Sequence, residues 1–88
     1  MGGIVYILQS EDGRYYIGST IDLNRRLLQH AQGQTPTTQR FKNPRLVFSQ
    51  KYPSLTIARK IELRLKKLKR KDYIDKIITD GYIKIKLD

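Results

Sequence analysis

Apolar residues fall along this chain in short strand-like runs and in helically spaced stripes. Ile4-Val5-Tyr6-Ile7-Leu8 is β-branched and aromatic, Glu11-Asp12-Gly13 supplies turn residues, and Tyr15-Tyr16-Ile17 resumes strand character. The pattern predicts a β-hairpin. A two-residue Asp12-Gly13 turn would pair Glu11 with Arg14, whereas a three-residue Glu11-Asp12-Gly13 loop, with Gly13 left-handed, would pair Ser10 with Arg14. The longer loop is favoured. It sets Leu8 opposite Tyr16 and Tyr6 opposite Gly18, so that both tyrosines share a face and Gly18 leaves room for a ring or a ligand. Tyr15 then points to the other face, because adjacent strand residues alternate.

A helix is expected from about Asp22 to Ala31, with Thr20 or Asp22 as N-cap and Gly33 closing it. Leu23, Leu27 and Ala31 form its apolar stripe, and Arg26 and His30, four residues apart, run along one edge, flanking the core without entering it. Residues 33–44 are polar, carry Arg40 and Lys42 and hold two of the three prolines, which reads as a surface loop. Arg45 to Tyr52 alternates as a third strand, with Leu46, Phe48 and Gln50 on one side, and Pro53 ends it. Ser54 caps a helix with the stripe Ile57, Ile61, Leu65 and Leu68. Lys69-Arg70-Lys71 breaks it before a last helix over Tyr73 to Ile78, and Tyr82, Ile83 and Ile85 could add an edge strand. The order β-β-α-β-α-α describes an α/β or α+β domain on a small antiparallel or mixed sheet.

Length and charge narrow the possibilities. The 88 residues, without internal repeat or linker, read as one domain over 1–88 with room for one core and one site. The chain has no cysteine, no bilayer-spanning apolar run and no signal-peptide pattern, so a cytoplasmic protein without a disulfide framework or membrane segment is expected. Eighteen Lys plus Arg against eight Asp plus Glu give a formal charge of +10, the footprint of a polyanion binder. The excess is lopsided: residues 1–44 hold five basic and three acidic side chains, residues 45–88 thirteen and five.

The chemical inventory is short: one histidine (His30), two glutamates (Glu11 and Glu62) and six tyrosines. A Ser-His-Asp site, a His/Cys metal cluster and a phosphate-cradling glycine loop are all set aside. Glu62 is the only acid between Ile57 and Lys71, among Arg59, Lys60, Arg64, Lys66, Lys67, Lys69 and Arg70. It lies at the border of the apolar stripe, and its plain explanation is an i,i+4 pair with Lys66 worth about 0.2–0.5 kcal/mol. The plain explanations of the rest are a solvated helix edge for Arg26 and His30, and half-buried strand aromatics for Tyr6 and Tyr16.

Val5-Tyr6, then Tyr16-Ile17-Gly18, Arg26, His30 and a single downstream glutamate together resemble the GIY-YIG nuclease family, and in particular its short stand-alone bacterial members. The likeness covers nearly the whole chain and is most specific in its N-terminal third. It implies a small three-stranded antiparallel central sheet flanked by helices. It places Tyr6 on the first-motif tyrosine, Tyr16 and Gly18 on the second motif, Arg26 on the catalytic arginine, His30 on the helix histidine and Glu62 on the metal-binding glutamate. Two departures stand out. Ile4-Val5-Tyr6 replaces Gly-Ile-Tyr, with Gly3 one position earlier, and no residue matches the asparagine that some members place in the last helix.

The resemblance implies a metal-dependent endonuclease that hydrolyses phosphodiester bonds in DNA, with Mg2+ or Mn2+ on Glu62. Tyr16 or Tyr6 would act on the attacking water, Arg26 would hold the phosphate, and His30 would be hydrogen-bond partner or proton carrier. Arg25, Arg40, Lys42, Lys66, Lys67, Lys69 and Arg70 are the candidate backbone contacts, with the lysine cluster remote from the metal. Tyr15, on the opposite face, would pack against a helix. The alternative is a non-catalytic module on the same fold that binds DNA or RNA, and convergence of Tyr6, Tyr16, Arg26 and Glu62 on one patch is what separates the two.

Overall fold

The computed structural model describes residues 2–32, 44–68 and 70–85. Strands β1 (Gly3–Gln9) and β2 (Tyr15–Thr20) are followed by helix α1 (Leu23–Ala31), strand β3 (Arg45–Tyr52) and helices α2 (Leu55–Leu68) and α3 (Lys71–Asp80). The sheet is three-stranded and antiparallel, in the order β2-β1-β3, so the most apolar strand lies in the centre. Gly33, expected to close the first helix, falls outside the described residues, as do Arg40, Lys42 and Lys69.

The hairpin takes the three-residue loop. The Ser10 N–H donates to the Arg14 carbonyl at 3.0 Å, the Gly13 N–H donates to the Ser10 carbonyl at 3.0 Å, and Gly13 has φ +87°. Asp12 secures the turn by accepting from the Ser10 hydroxyl and pairing with Arg14 at 2.7 Å. The register follows, with Leu8 opposite Tyr16 and Tyr6 opposite Gly18.

The two faces of the sheet carry different cargo. One bears Val5, Ile7, Ile17 and Phe48 and packs on Ala58, Ile61 and Leu65 of α2 and Ile74 and Ile77 of α3, forming the main core. The other bears Tyr6, Leu8, Tyr16 and Gly18 beneath His30 of α1. Tyr15 lies on the core side, where its hydroxyl donates to Asp75 of α3 and Lys71 Nζ sits 5.8 Å from its ring centre. Burial, then the Asp75 carboxylate, pushes its phenol up to about 12.

Several local expectations are corrected. A register shift where Ile7 and Leu8 pair with Phe48 and Leu46 makes Val47 an extra residue, so Val47 packs on the core and Leu46 is exposed. A bulge of this kind interrupts the two-residue period on which the side assignment rested. The inner stripe of α2 runs through Ala58, Ile61 and Leu65 and leaves Leu68 exposed, which turns Glu62 nearer the sheet. The terminal strand does not form over residues 82–85. Ile83 instead plugs the core, held by its N–H donating to Gln50 Oε1 at 2.8 Å. Ser54 caps α2 as expected, accepting from the Ile57 N–H at 3.2 Å.

Candidate active site

Tyr6 is brought to the site by the central strand and is completely buried. Its ring lies directly over Gly18: a Cβ built there would stand 2.5 Å from both Cζ and Oη of Tyr6. No other residue fits that position without moving the tyrosine. At its far end the phenol meets His30 Nε2 at 2.8 Å.

His30 is the one buried residue of α1, which corrects the expectation of a side chain that flanks the core without entering it. The physical reason is the partner. A lone imidazole would lose its hydration on burial, but here Tyr6 Oη replaces it and two rings surround it. Ring centres lie 5.7 Å from Tyr6 and 5.0 Å from Tyr16, both edge to face, and Tyr6 and Tyr16 are 6.2 Å apart. Burial first, and the Arg26 charge second, hold the imidazole below its ordinary range, so it is neutral at pH 7.

The same surroundings act on the phenol. Burial chiefly, aided by neighbouring Tyr16, holds the Tyr6 pKa far above the ordinary tyrosine value, while the Arg26 guanidinium opposes the rise. Tyr6 therefore keeps its proton, and its hydroxyl shares a hydrogen bond with the neutral His30 at Nε2. Tyr16, half-buried, is the tyrosine of the pair that solvent reaches.

Arg26 thus stands beside both Tyr6 and His30 and also lines an open groove of about 220 Å³ together with Thr20, Ile21, Asp22, Arg25 and Gln29. Asp22 fixes the start of α1 by accepting from the Arg25 N–H at 3.1 Å, which sets the two arginines on the groove wall.

Glu62 approaches from the other side. Its Oε1 accepts from Ser19 Oγ at 2.5 Å, and its Oε2 pairs with Lys66 Nζ at 2.6 Å. Ser19 points to the α2 face, opposite Tyr16, so Glu62 does not share one flat face with the tyrosines. The strand between them is the edge strand, however, and Lys66 reaches around it: the same Nζ that touches Glu62 lies 5.9 Å from the Tyr16 ring centre. Tyr6, Tyr16, Arg26 and His30 thus gather on one slope of the β2 edge and Glu62 lies on the other, joined to them through Lys66, which corrects the expectation that one concave patch would hold Tyr6, Tyr16, Arg26 and Glu62 together.

Ser19 was not singled out by the sequence. The only signal was its place one residue past Gly18, which turns its hydroxyl toward the helix that carries the isolated acid. The i,i+4 pair of Glu62 with Lys66 forms as the spacing predicts, which corrects the expectation that Lys66, with its cluster, lies remote from the candidate metal ligand. Lys67 and Arg70 are exposed, and Arg70 pairs with Asp72 at 2.8 Å rather than facing the patch. Among the described residues no group of three or more His, Cys, Asp or Glu side chains is placed to hold a metal ion, and no helix is long and apolar enough to cross a membrane.

Known proteins share this arrangement of sequence and fold. The GIY-YIG catalytic domain family matches residues 2–76. A UPF0213 protein of Halalkalibacterium halodurans is 39% identical over 72 residues, covering 81% of this chain and 77% of the relative. A UPF0213 protein of Streptococcus pneumoniae serotype 4 is 39% identical over 67 residues, 75% of this chain and 68% of the relative. The solution NMR structure of the UPF0213 protein BH0048 from Bacillus halodurans superposes with a TM-score of 0.58 at 34% identity, over 92% of this chain and 87% of that one. With the family match spanning most of the sequence and the fold shared, this chain belongs to the GIY-YIG catalytic domain family.

Proposed function

We propose that the chain is a metal-dependent endonuclease that hydrolyses phosphodiester bonds in DNA. The observation that carries this reading is the convergence of two tyrosines, an arginine and a histidine on one slope of the β2 edge, tied by Lys66 to a carboxylate on the other.

The roles follow from the surroundings of each group. A general base must be able to give up its own proton and take one from water, and burial, which holds Tyr6 protonated, denies it that role. Tyr16 is therefore the candidate base, and Tyr6 with His30 forms the rigid wall that orients it. Hydrolysis joins the water oxygen to phosphorus and breaks the bond to one ester oxygen, and the water's proton passes to Tyr16 as the phenolate, whose own proton has first gone to solvent. Arg26, a planar cation on the groove wall, stabilises the added charge on the phosphoryl oxygens. The leaving oxygen takes its proton from solvent.

The donor set on the other slope suits a hard divalent ion. Glu62 is one carboxylate with a hydroxyl, Ser19, at its side, and Mg2+ or Mn2+ keeps several waters and completes its shell with substrate phosphate oxygens. When bound there by Glu62, such an ion supplies Lewis-acid stabilisation and a template for the phosphate. The groove beside Arg25 and Arg26 and the exposed Lys66 and Lys67 supply the backbone grip that the +10 charge implies.

The test is nicking of supercoiled, branched, single-stranded and duplex DNA with and without Mg2+ or Mn2+. Metal-dependent nicking that disappears in Tyr16→Phe is the expected result. Binding to these DNAs without cleavage of any of them would leave the non-catalytic module as the better description.

A further inference from the structure

Lys66 occupies an unusual position for a member of a basic helix. Its ammonium is 2.6 Å from Glu62 Oε2 and 5.9 Å from the Tyr16 ring centre, while Ser19 holds Glu62 Oε1. The carboxylate is 16% exposed and the lysine 46%, so the anion is the fixed partner and the cation the adjustable one. With its ammonium half in solvent, an i,i+4 pair of this kind is weak enough for a better partner of the lysine to draw it away.

We propose that Lys66 is a resident counter-cation: it holds the divalent ion's place on Glu62 until nucleic-acid phosphate draws it away, so that metal and nucleic acid bind cooperatively. The inference rests on the nuclease reading for the assignment of Glu62 as metal ligand. Lysine suits the role because it is a point charge on a flexible stem with three donors and no acceptor, so it cannot itself ligate a cation, and its charge repels one brought to the same carboxylate. Departure from Glu62 carries the ammonium along the β2 edge on the side of the Tyr16 ring, where the substrate phosphate would lie. The exchange balances charge. Glu62 trades one cation for another, and Lys66 trades a carboxylate for a phosphate.

Without nucleic acid, metal must compete with Lys66 for the carboxylate and sit near its positive charge. Removing that ammonium is expected to tighten metal binding about fivefold, or about 1 kcal/mol. Linkage requires that metal and nucleic acid strengthen each other by one common factor, and that the factor shrink when Lys66 is removed.

The experiment is titration of Mn2+ into the full chain without nucleic acid, read by electron paramagnetic resonance of the free ion, for wild type, Lys66→Met, Lys66→Gln, Lys67→Met and Glu62→Gln. Thermal melts confirm that each variant is folded. Both Lys66 variants should bind Mn2+ several-fold tighter than wild type, and Lys67→Met, which removes an equal charge away from Glu62, should change little. Anisotropy of a labelled DNA duplex at constant ionic strength should then show Mn2+ improving the wild type's affinity by more than that of Lys66→Met. Glu62-dependent Mn2+ binding that neither Lys66 variant alters, or that Lys67→Met alters equally, overturns this inference alone. Mn2+ binding that does not depend on Glu62 overturns the metal-site assignment, and this inference with it.

Discussion

Replacing Gly18 with alanine probes the most tightly determined contact in the site. Gly18 has no left-handed φ, so the substitution adds no backbone strain, and in an ordinary strand it would stabilise by about 0.5–1 kcal/mol. Here the new methyl would stand 2.5 Å from Cζ and Oη and 2.9 Å from Cε1 of Tyr6. The ring cannot swing outward, because Tyr6 is fully buried and its hydroxyl is held by His30 at 2.8 Å. Overpacking costs about 1–3 kcal/mol. Displacing the phenol also strands two buried polar groups, at about 1–3 kcal/mol if neither finds a new partner. After the intrinsic gain of alanine, Gly18→Ala should destabilise by about 1–5 kcal/mol, and each 1 kcal/mol lowers the melting midpoint of a domain this size by about 4–8 °C. Urea unfolding of wild type, Gly18→Ala, Tyr6→Phe and the double variant separates the two costs. In the Tyr6→Phe background the steric part persists, since Cζ remains, while the hydrogen-bond part has already been lost. A Gly18→Ala protein as stable as wild type or more so would refute the packing of Tyr6 over this glycine, and with it the wall that orients Tyr16.

The adjacent tyrosines should part company. Tyr15→Phe loses the bond to Asp75 and about 1 kcal/mol of stability while cleavage persists, whereas Tyr16→Phe loses cleavage; equal effects on cleavage would contradict their assignment to opposite faces. His30, the only histidine, has a folded-state pKa below its ordinary value of 6.5. The unfolded chain therefore binds the proton first, and stability present above about pH 6.5 should be lost as pH falls below it. Thermal midpoints against pH should show this slope in wild type and not in His30→Gln; a slope common to both would place the imidazole in solvent. Arg25→Ala should weaken DNA binding and lower the dependence of log K on log salt by about one. An unchanged slope would remove the groove beside α1 from the interface.

The hairpin was legible in the sequence because two glycines fixed it: Gly13 could close the three-residue loop and Gly18 could face a large ring, and together they leave one register. The opposition of Tyr15 and Tyr16 followed from strand geometry. Other features depended on contacts that a periodic pattern does not encode. The extra residue at Val47 shifted the side assignment within β3, and only pairing with β1 reveals it. His30 looked like a solvated edge because a helical wheel cannot see the phenol that compensates its burial. Glu62 was conspicuous as an isolated acid, but Ser19 is 43 residues away and carries no pattern of its own. The pair of Lys66 with Glu62 was legible from i,i+4 spacing, but not the reach of the same ammonium to the Tyr16 ring.

In the proposed function, Glu62 serves metal-dependent cleavage rather than helix stability. Glu62→Gln removes the charge and keeps the shape, so its most direct test is cleavage and binding of one DNA substrate, measured on wild type and variant at the same Mg2+ or Mn2+ concentration. The account predicts cleavage by wild type, its loss in Glu62→Gln, and DNA affinity retained or slightly raised, because one negative charge has left a phosphate-facing site. Equal cleavage by the two proteins would contradict it and leave Glu62 as the partner of Lys66 and Ser19 alone.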